Sequence, residues 1–388
     1  MRSAPPLSLY VHVPWCVRKC PYCDFNSHQA PAGEIPEDRY VSALIGDLDH
    51  DLELAGGREL QSIFIGGGTP SLFSPSVIAR LLEAIAARLP CARDMEVTLE
   101  ANPGTIEHGR FAGYHEAGIT RVSLGVQSFD AAHLRRLGRI HSPDDVFRSV
   151  HELKLAGIRN FNLDLMYALP EQTLAQAELD VHTAIELQPS HLSHYQLTLE
   201  QGTVFHHRPP QGLPDPDAAW EMQQACQERL ARSGFVQYEV SAYAAYERRC
   251  RHNLNYWQFG DYIGIGAGAH GKLTDPGRDR VLRTTRHKQP RVYLEAASAA
   301  ERLQEVRQVD PVELPFEFML NALRLREGFD LAAFELAAGL PGKAVEHPIA
   351  LAEAKGLIEQ TRPGSWRPSE LGWRFLNDLQ ELFLVSKP

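Results

Sequence analysis

Three cysteines, Cys16, Cys20 and Cys23, fall within eight positions, in the run Cys16-x-x-x-Cys20-x-x-Cys23. Thiolates three and four residues apart can point to one centre. A closed structural zinc site wants four ligands, and the nearest further donors, Asp24 and His28, are not at zinc spacing. A [4Fe-4S] cube held by three cysteines leaves one iron without a protein ligand, open to a substrate or cofactor. The spacing favours the cube over zinc or unliganded thiols. The remaining cysteines, Cys91, Cys226 and Cys250, are scattered and read as structural thiols. Six cysteines in 388 residues do not make a disulfide scaffold. A second grouping is Arg251-His252-Asn253-Leu254-Asn255-Tyr256-Trp257, an imidazole beside two aromatic rings. Imidazole is a common axial iron ligand, and Tyr256 and Trp257 can pack against a flat macrocycle. A histidine among aromatics is more often a packed, hydrogen-bonded core residue.

The elements that must position these groups alternate along the first two hundred residues. Strands are expected at Leu7–Val13, Ser62–Gly66, Met95–Glu100, Arg121–Val126, Asn160–Met166 and His191–Leu197. Helices are expected at Asp38–Leu54, Val77–Leu89 (with Ser76 as N-cap), Asp144–Ala156 and Thr173–Leu187. Six strands in regular βα alternation make an α/β fold with a parallel sheet. Alternation alone leaves an open sheet and a barrel equally available. The strand ends favour the barrel: Pro14-Trp15-Cys16, Gly66-Gly67-Gly68-Thr69-Pro70, Glu100-Ala101-Asn102-Pro103, Gln127-Ser128, Asp164 and Thr198. In parallel barrels the site gathers at the C-terminal ends of the strands.

A Pro- and Gly-rich linker, Arg208–Pro216, precedes a helix at Ala218–Ser233 and a strand at Val236–Tyr243. The expected division is 1–245 for the barrel, 246–310 for a connecting segment and 311–388 for a C-terminal winged-helix-like α+β domain. That last unit has helices at Glu317–Arg326, Leu331–Ala338, Ala350–Lys355 and Glu370–Leu384, with wing strands at Leu357–Glu359 and Ser365–Pro368. Gly266-Ala267-Gly268-Ala269-His270-Gly271 fits GxGxxG, but Thr274-Asp275-Pro276-Gly277 breaks the helix that a dinucleotide site needs.

Lys and Arg number 39 and Asp and Glu 49, a net charge of −10. That is the wrong sign for sequence-independent nucleic-acid binding, so no nucleic-acid partner is expected. The 44% hydrophobic and 23% charged content is that of a globular chain rather than a disordered one. No run is long and apolar enough for a signal peptide or a membrane span. A reducing cytoplasm is the expected location.

CxxxCxxC with Tyr22 before its last cysteine resembles the radical S-adenosylmethionine (SAM) superfamily. Gly66-Gly67-Gly68-Thr69-Pro70-Ser71, Leu124-Gly125-Val126-Gln127-Ser128-Phe129 and Asn162-Leu163-Asp164-Leu165-Met166-Tyr167-Ala168-Leu169-Pro170 look like the branch holding oxygen-independent coproporphyrinogen III oxidase (HemN) and the HemW heme chaperone family. The resemblance runs over essentially the whole chain. It implies a partial (β/α)6 radical-SAM barrel with Cys16, Cys20 and Cys23 on a [4Fe-4S] cluster. SAM would chelate the open iron and, on reduction, yield a 5′-deoxyadenosyl radical. By the same resemblance Gly67, Gly68 and Thr69 receive the methionine amino group, and Arg139 pairs with its carboxylate. Glu100, Gln127 and Asp164 hold SAM and its ribose, and Tyr10 and Tyr22 lie near the methionine and adenine.

Two departures separate the oxidase from the carrier. The oxidase run continues as CxxxCxxCxC, whereas Phe25 stands at that position here, and only fifteen residues precede Cys16. HNxxYW at His252–Trp257 resembles the heme-associated signature of the HemW family, which makes His252 the expected heme ligand, with His270, His206 and His207 as further candidates. The expected function is a heme chaperone that passes heme to acceptor hemoproteins, with oxidative decarboxylation of coproporphyrinogen III as the alternative. A flavodoxin- or ferredoxin-like electron donor, a homodimer and peripheral membrane association through the acceptor complete the expected partners.

Overall fold

The computed structural model describes residues 4–31, 34–104 and 109–384. Strand β1 (Leu7–Val13) shows how the sequence builds the molecule. Leu7, Leu9, Val11 and Val13 alternate with Ser8, Tyr10 and His12 and are buried in the main hydrophobic core. Fully covered parallel strands usually read as continuous apolar runs. Here the second face is polar because it lines an interior: Ser8 Oγ meets Ser62 Oγ at 2.8 Å, and the Tyr10 and Phe64 rings lie 6.4 Å apart.

Five more strands follow, β2 (Leu60–Gly67), β3 (Cys91–Ala101), β4 (Arg121–Gln127), β5 (Phe161–Tyr167) and β6 (His191–Gln196). Each pairs in parallel with the one before it. The helices between them, Glu37–Ala55, Pro75–Ala86, Pro143–Leu155 and Leu174–Glu186, cover the outer face. Capping boxes at Ser142/Asp145 and Thr173/Gln176 start the last two. The expected N-cap Ser76 lies inside the second helix. Pro75 takes the first helical position, and Ser74 precedes it.

Among the described residues the sheet has twelve strands and does not close. After β7 (Val236–Gln237) and β8 (Ala242–Ala244) come β9 (Asp261–Ile265), β10 (His270–Asp275), β11 (Arg280–Arg286) and β12 (Leu303–Gln308). The order is β12-β11-β10-β9-β1-β2-β3-β4-β5-β6-β8-β7. The strand expected at Val236–Tyr243 is thus two short strands paired antiparallel. The stretch 246–310 runs within the sheet, with β9 parallel to β1 and β10–β12 antiparallel beyond it. GxGxxG is the turn between β9 and β10, so no helix follows it.

Helix Arg251–Trp257 forms a floor at the N-terminal ends of the inner strands. Its Arg251 N–H donates to Glu96 Oε1 at 2.9 Å. Arg121 Nε lies 3.9 Å from Glu96 Oε2. His191 bridges Asn162 at 2.7 Å and the Tyr238 hydroxyl at 2.9 Å.

The C-terminal unit has its own core around Phe318, Phe334, Val345 and Trp366, which reaches back to Phe259 and Val281. Its helices include Leu314–Ala322, Leu331–Ala338 and Lys343–Ala354. A three-stranded antiparallel sheet of Phe329–Asp330, Ser365–Pro368 and Ile358–Arg362 forms the wing. Helix Lys343–Ala354 starts earlier than expected and carries Pro348 inside it. The expected helix Glu370–Leu384 is broken at Phe375 into Glu370–Arg374 and Leu376–Glu381.

Candidate cluster and cofactor site

At the C-terminal ends of the inner strands lies a cavity of about 460 Å³. The loop after β1 brings Cys16, Cys20 and Cys23 to its wall. Two short strands, Trp15–Cys16 and His28–Gln29, pair to close that loop. Asn26 fixes its far side by donating from Nδ2 to Ala267 O and Lys288 O, each at 2.9 Å. His12 Nε2 donates to Asn26 O at 2.8 Å, and its Nδ1 meets the Tyr10 hydroxyl at 2.9 Å. Burial pushes the His12 pKa down to about 4, so the ring is a neutral strut.

Two glycines let backbones approach here. Gly67 has φ +114°, and a Cβ on it would lie 2.5 Å from the His12 ring. A Cβ on Gly68 would lie 2.5 Å from Trp15 O. The N–H groups of Gly67, Gly68 and Thr69 already donate to Glu100 Oε2 (3.0 Å), Val13 O (2.7 Å) and Trp15 O (2.7 Å). Carbonyl and hydroxyl oxygens remain as the turn's polar atoms, the complement that an ammonium group needs.

Glu100, Gln127, Arg139 and Asp164 arrive from separate elements on the same wall. Gln127 sits after an irregularity in the β4–β5 register, with φ 70°, and its Oε1 accepts from the Tyr195 hydroxyl at 2.8 Å. Burial, with the Asp164 charge adding to it, pushes the Glu100 carboxyl up to about 7. Burial raises Asp164 as well, against hydrogen bonds from Asn162 (2.7 Å) and Ser123 (3.3 Å). Arg139 donates to Gly125 O at 2.6 Å and contacts Cys20 Sγ at 3.7 Å. Its Nε is enclosed with no partner. Tyr22 is also on the wall, its ring 6.3 Å from Phe205.

The donor set fits a cluster and SAM. A four-iron cube gives each of the three thiolates on this wall its own iron and leaves the fourth iron open. Burial raises the Cys16 and Cys23 thiols, and iron would offset this by holding them as thiolates. SAM is a cation with a carboxylate and ribose hydroxyls. Arg139 suits the carboxylate, and Glu100 and Asp164 suit the hydroxyls.

Other expected residues lie elsewhere. Tyr10 stands behind the cavity wall, tied to His12, rather than on it. His252 is 2% exposed in the barrel floor, with Nδ1 3.0 Å from Ser62 Oγ and its ring 5.1 Å from both Phe64 and Tyr256. Its Nε2 is enclosed with no hydrogen-bond partner, and burial pushes its pKa down to about 3. His270 is exposed at the start of β10, beside Thr285. His206 and His207 are exposed on the short helix Val204–His207, where Phe205 N–H donates to Pro21 O at 3.0 Å. Phe25 is 57% exposed at the cavity.

Sequence reasoning missed Asn102 and Tyr195. Asn102 donates to Thr69 Oγ1 at 2.8 Å and accepts from Arg139, joining two of the expected contacts. The strand tip Glu100-Ala101-Asn102 was the available signal.

The profile of the Radical SAM superfamily matches residues 10–184, and that of the HemN C-terminal domain residues 309–375. The chain is 50% identical over 386 residues to the heme chaperone HemW of Escherichia coli (strain K12), covering 100% of both chains. It is 48% identical over 391 residues to the heme chaperone HemW of Haemophilus influenzae, again covering 100% of both. Against the mitochondrial radical S-adenosyl methionine domain-containing protein 1 of Mus musculus, identity is 42% over 273 residues, 70% of this chain and 61% of that one. Among solved structures, coproporphyrinogen III oxidase (HemN) from Escherichia coli superposes with a TM-score of 0.82 at 21% identity, over 98% of this chain and 90% of that chain. That last likeness is one of fold.

Proposed function

This chain belongs to the HemW family of the radical SAM superfamily, and from that premise we propose that it carries heme to acceptor hemoproteins. In this reading a [4Fe-4S] cluster and SAM occupy the strand-tip cavity. The observation that carries it is the convergence of three cysteines, a glycine turn, two half-buried carboxylates and an arginine on one cavity wall, in a chain matching heme chaperones along its full length. Cys16, Cys20 and Cys23 would hold the cluster. Glu100, Asp164, Gln127 and Arg139 would orient SAM, and Asn102 would position Arg139. When bound and reduced, the cluster supplies the electron that cleaves SAM.

The oxidase alternative has less support. It rests on a fold likeness at 21% identity, and Phe25 replaces the oxidase's further cysteine. We extend the proposal to a flavodoxin- or ferredoxin-like electron donor, a homodimer, peripheral membrane contact through the acceptor and a cytoplasmic location. No helix among the described residues is long and apolar enough to cross a membrane.

The test is anaerobic incubation of reconstituted protein with heme and an apo-hemoprotein, and in parallel with SAM, reductant and coproporphyrinogen III. Transfer of heme to the acceptor, with no loss of carboxyl groups from coproporphyrinogen by mass, is expected. Decarboxylation without heme transfer overturns the carrier reading.

A further inference from the structure

The wall that carries Cys20 has a second side. Arg18, Cys20, Thr69, Asn102 and Arg139 line the cofactor cavity, and the same five residues line a separate recess of about 140 Å³. Cys16 and Cys23 line only the first of these two. The recess opens to solvent between Val17 and Ile140, which are 40% and 61% exposed. Electron transfer weakens steeply with separation. A cluster on these thiols is therefore best reached from outside along the Cys20 side.

Two segments build the rim of the recess. The cysteine loop gives Val17 and Arg18, and the turn after the short helix Ala131–Arg136 gives Gly138 and Ile140. A Cβ on Gly138 would lie 2.8 Å from Pro21 Cδ, so the turn is seated directly on the loop and the two present one surface. A single exposed apolar side chain is ordinary. Here two of them flank a recess whose back wall holds a cluster thiol.

The charge of this surface is the second observation. No Asp or Glu lines the recess, whereas Arg18, Arg139 and His141 do. Burial pushes the His141 pKa down to about 4, so its ring is neutral. Arg139 is occupied with Asn102 and Gly125 O. Arg18 is exposed and forms no ion pair among the described residues. The same holds for exposed Arg135, whose carbonyl accepts from the Gly138 N–H at 3.0 Å. Its neighbour Arg136 is paired with Glu171. Asp24 and Glu200 line the cofactor cavity and not the recess. In a chain with a net charge of −10, this face has the opposite sign to the whole. Such a face steers an acidic partner toward itself.

We infer that this face is the docking surface for a small, acidic one-electron carrier protein. Val17 and Ile140 form its apolar contact, and Arg18 and Arg135 its charged rim. The carrier is oxidised by one electron, and the cluster is reduced by one, past Cys20. The inference rests on the reading of Cys16, Cys20 and Cys23 as cluster ligands, and it gives the electron donor a place. Because the carrier sits on the far side of the Cys20 wall, the cofactor cavity stays open while it is bound.

The test uses the full-length, cluster-loaded protein without oxygen. Bleaching of the cluster absorbance is followed by stopped flow with flavodoxin hydroquinone and with reduced ferredoxin. Photoreduced deazariboflavin, small and uncharged, is the reductant that needs no docking. The double variant Arg18→Glu/Arg135→Glu is expected to be reduced by the carrier about tenfold more slowly at low salt, and to approach wild type at high salt. Ile140→Asp is expected to be slowed at every salt concentration. Arg232→Glu, on helix Pro216–Arg232, controls for lost positive charge and should follow wild type. Deazariboflavin should reduce all of them equally. Variants that match wild type with both carriers, or that slow equally with deazariboflavin, overturn the docking surface and leave the cluster reading standing. So does a wild-type cluster that deazariboflavin reduces and neither carrier does. A wild type with no cluster that deazariboflavin can reduce overturns the cluster reading, and the docking surface with it.

Discussion

Gly67→Ala gives a sharp test of how the site is built. Gly67 has φ +114°, where a residue with a Cβ is strained by about 1–3 kcal/mol. The new Cβ would also fall 2.5 Å from His12 Cε1 and within 2.8 Å of both ring nitrogens. The ring must move, and it has two hydrogen bonds to lose, to Tyr10 at 2.9 Å and Asn26 O at 2.8 Å. At about 1 kcal/mol each these add about 2 kcal/mol. The total, about 3–5 kcal/mol, is a large share of the roughly 5–15 kcal/mol that holds a domain folded. Because Asn26 anchors the cysteine loop, iron retention should fall along with stability. Anaerobic denaturant unfolding of wild type, Gly67→Ala, His12→Ala and the double variant measures both parts. In the double variant the Cβ meets no ring, so the combined loss should be smaller than the sum by about 1–2 kcal/mol. Additive losses, or a Gly67→Ala protein within about 1 kcal/mol of wild type, would refute the argument.

Three further outcomes are expected. Glu100 is raised from 4.5 to about 7, so the fold favours its protonated form. That contribution is complete below about pH 4.5 and lost as pH rises through about 7, in all about 3 kcal/mol. Urea midpoints should therefore fall between about pH 5 and about pH 8 in wild type and stay flatter in Glu100→Gln. Equal slopes would remove Glu100 as the cause. Alanine at Cys16, Cys20 or Cys23 should reduce iron well below about four per chain after anaerobic reconstitution, and wild-type iron in any of them would remove that thiol from the ligand set. His252→Ala should lower stability by about 2–4 kcal/mol, as loss of a buried ring does, while the heme spectrum is unchanged. A lost Soret band with unchanged melting would return His252 to the ligand role.

The inner strands were legible because their patterning is local. In Leu7–Val13 every second residue is apolar, and the strand has the expected bounds. Strand β9 was not legible, because its partner β1 is some 250 residues away and it falls in the stretch expected as a connecting segment. The grouped cysteines, the glycine turn and the polar strand tips stood out because such residues at strand ends have little local structural reason. Asn102 and Tyr195 escaped notice because each works through another side chain, Asn102 on Thr69 and Arg139, Tyr195 on Gln127. The surroundings of His252 were hidden for a related reason. A histidine among aromatics has the same sequence whether its helix lines a cavity or plugs a floor, and its contacts with Ser62 and Phe64 join segments far apart in the chain.

The pairing of β1 with β9 has a consequence for the order of events during synthesis. The first strand leaves the ribosome early, yet one of its edges has no partner until residues 261–265 emerge. The cysteine loop waits longer, since Asn26 is tethered to Ala267 and Lys288. Contacts of such sequence separation form late in folding. Most of the chain must therefore be made before the thiols reach their final arrangement. The long-range tether thus makes the final shape of the cysteine loop depend on residues 267 and 288.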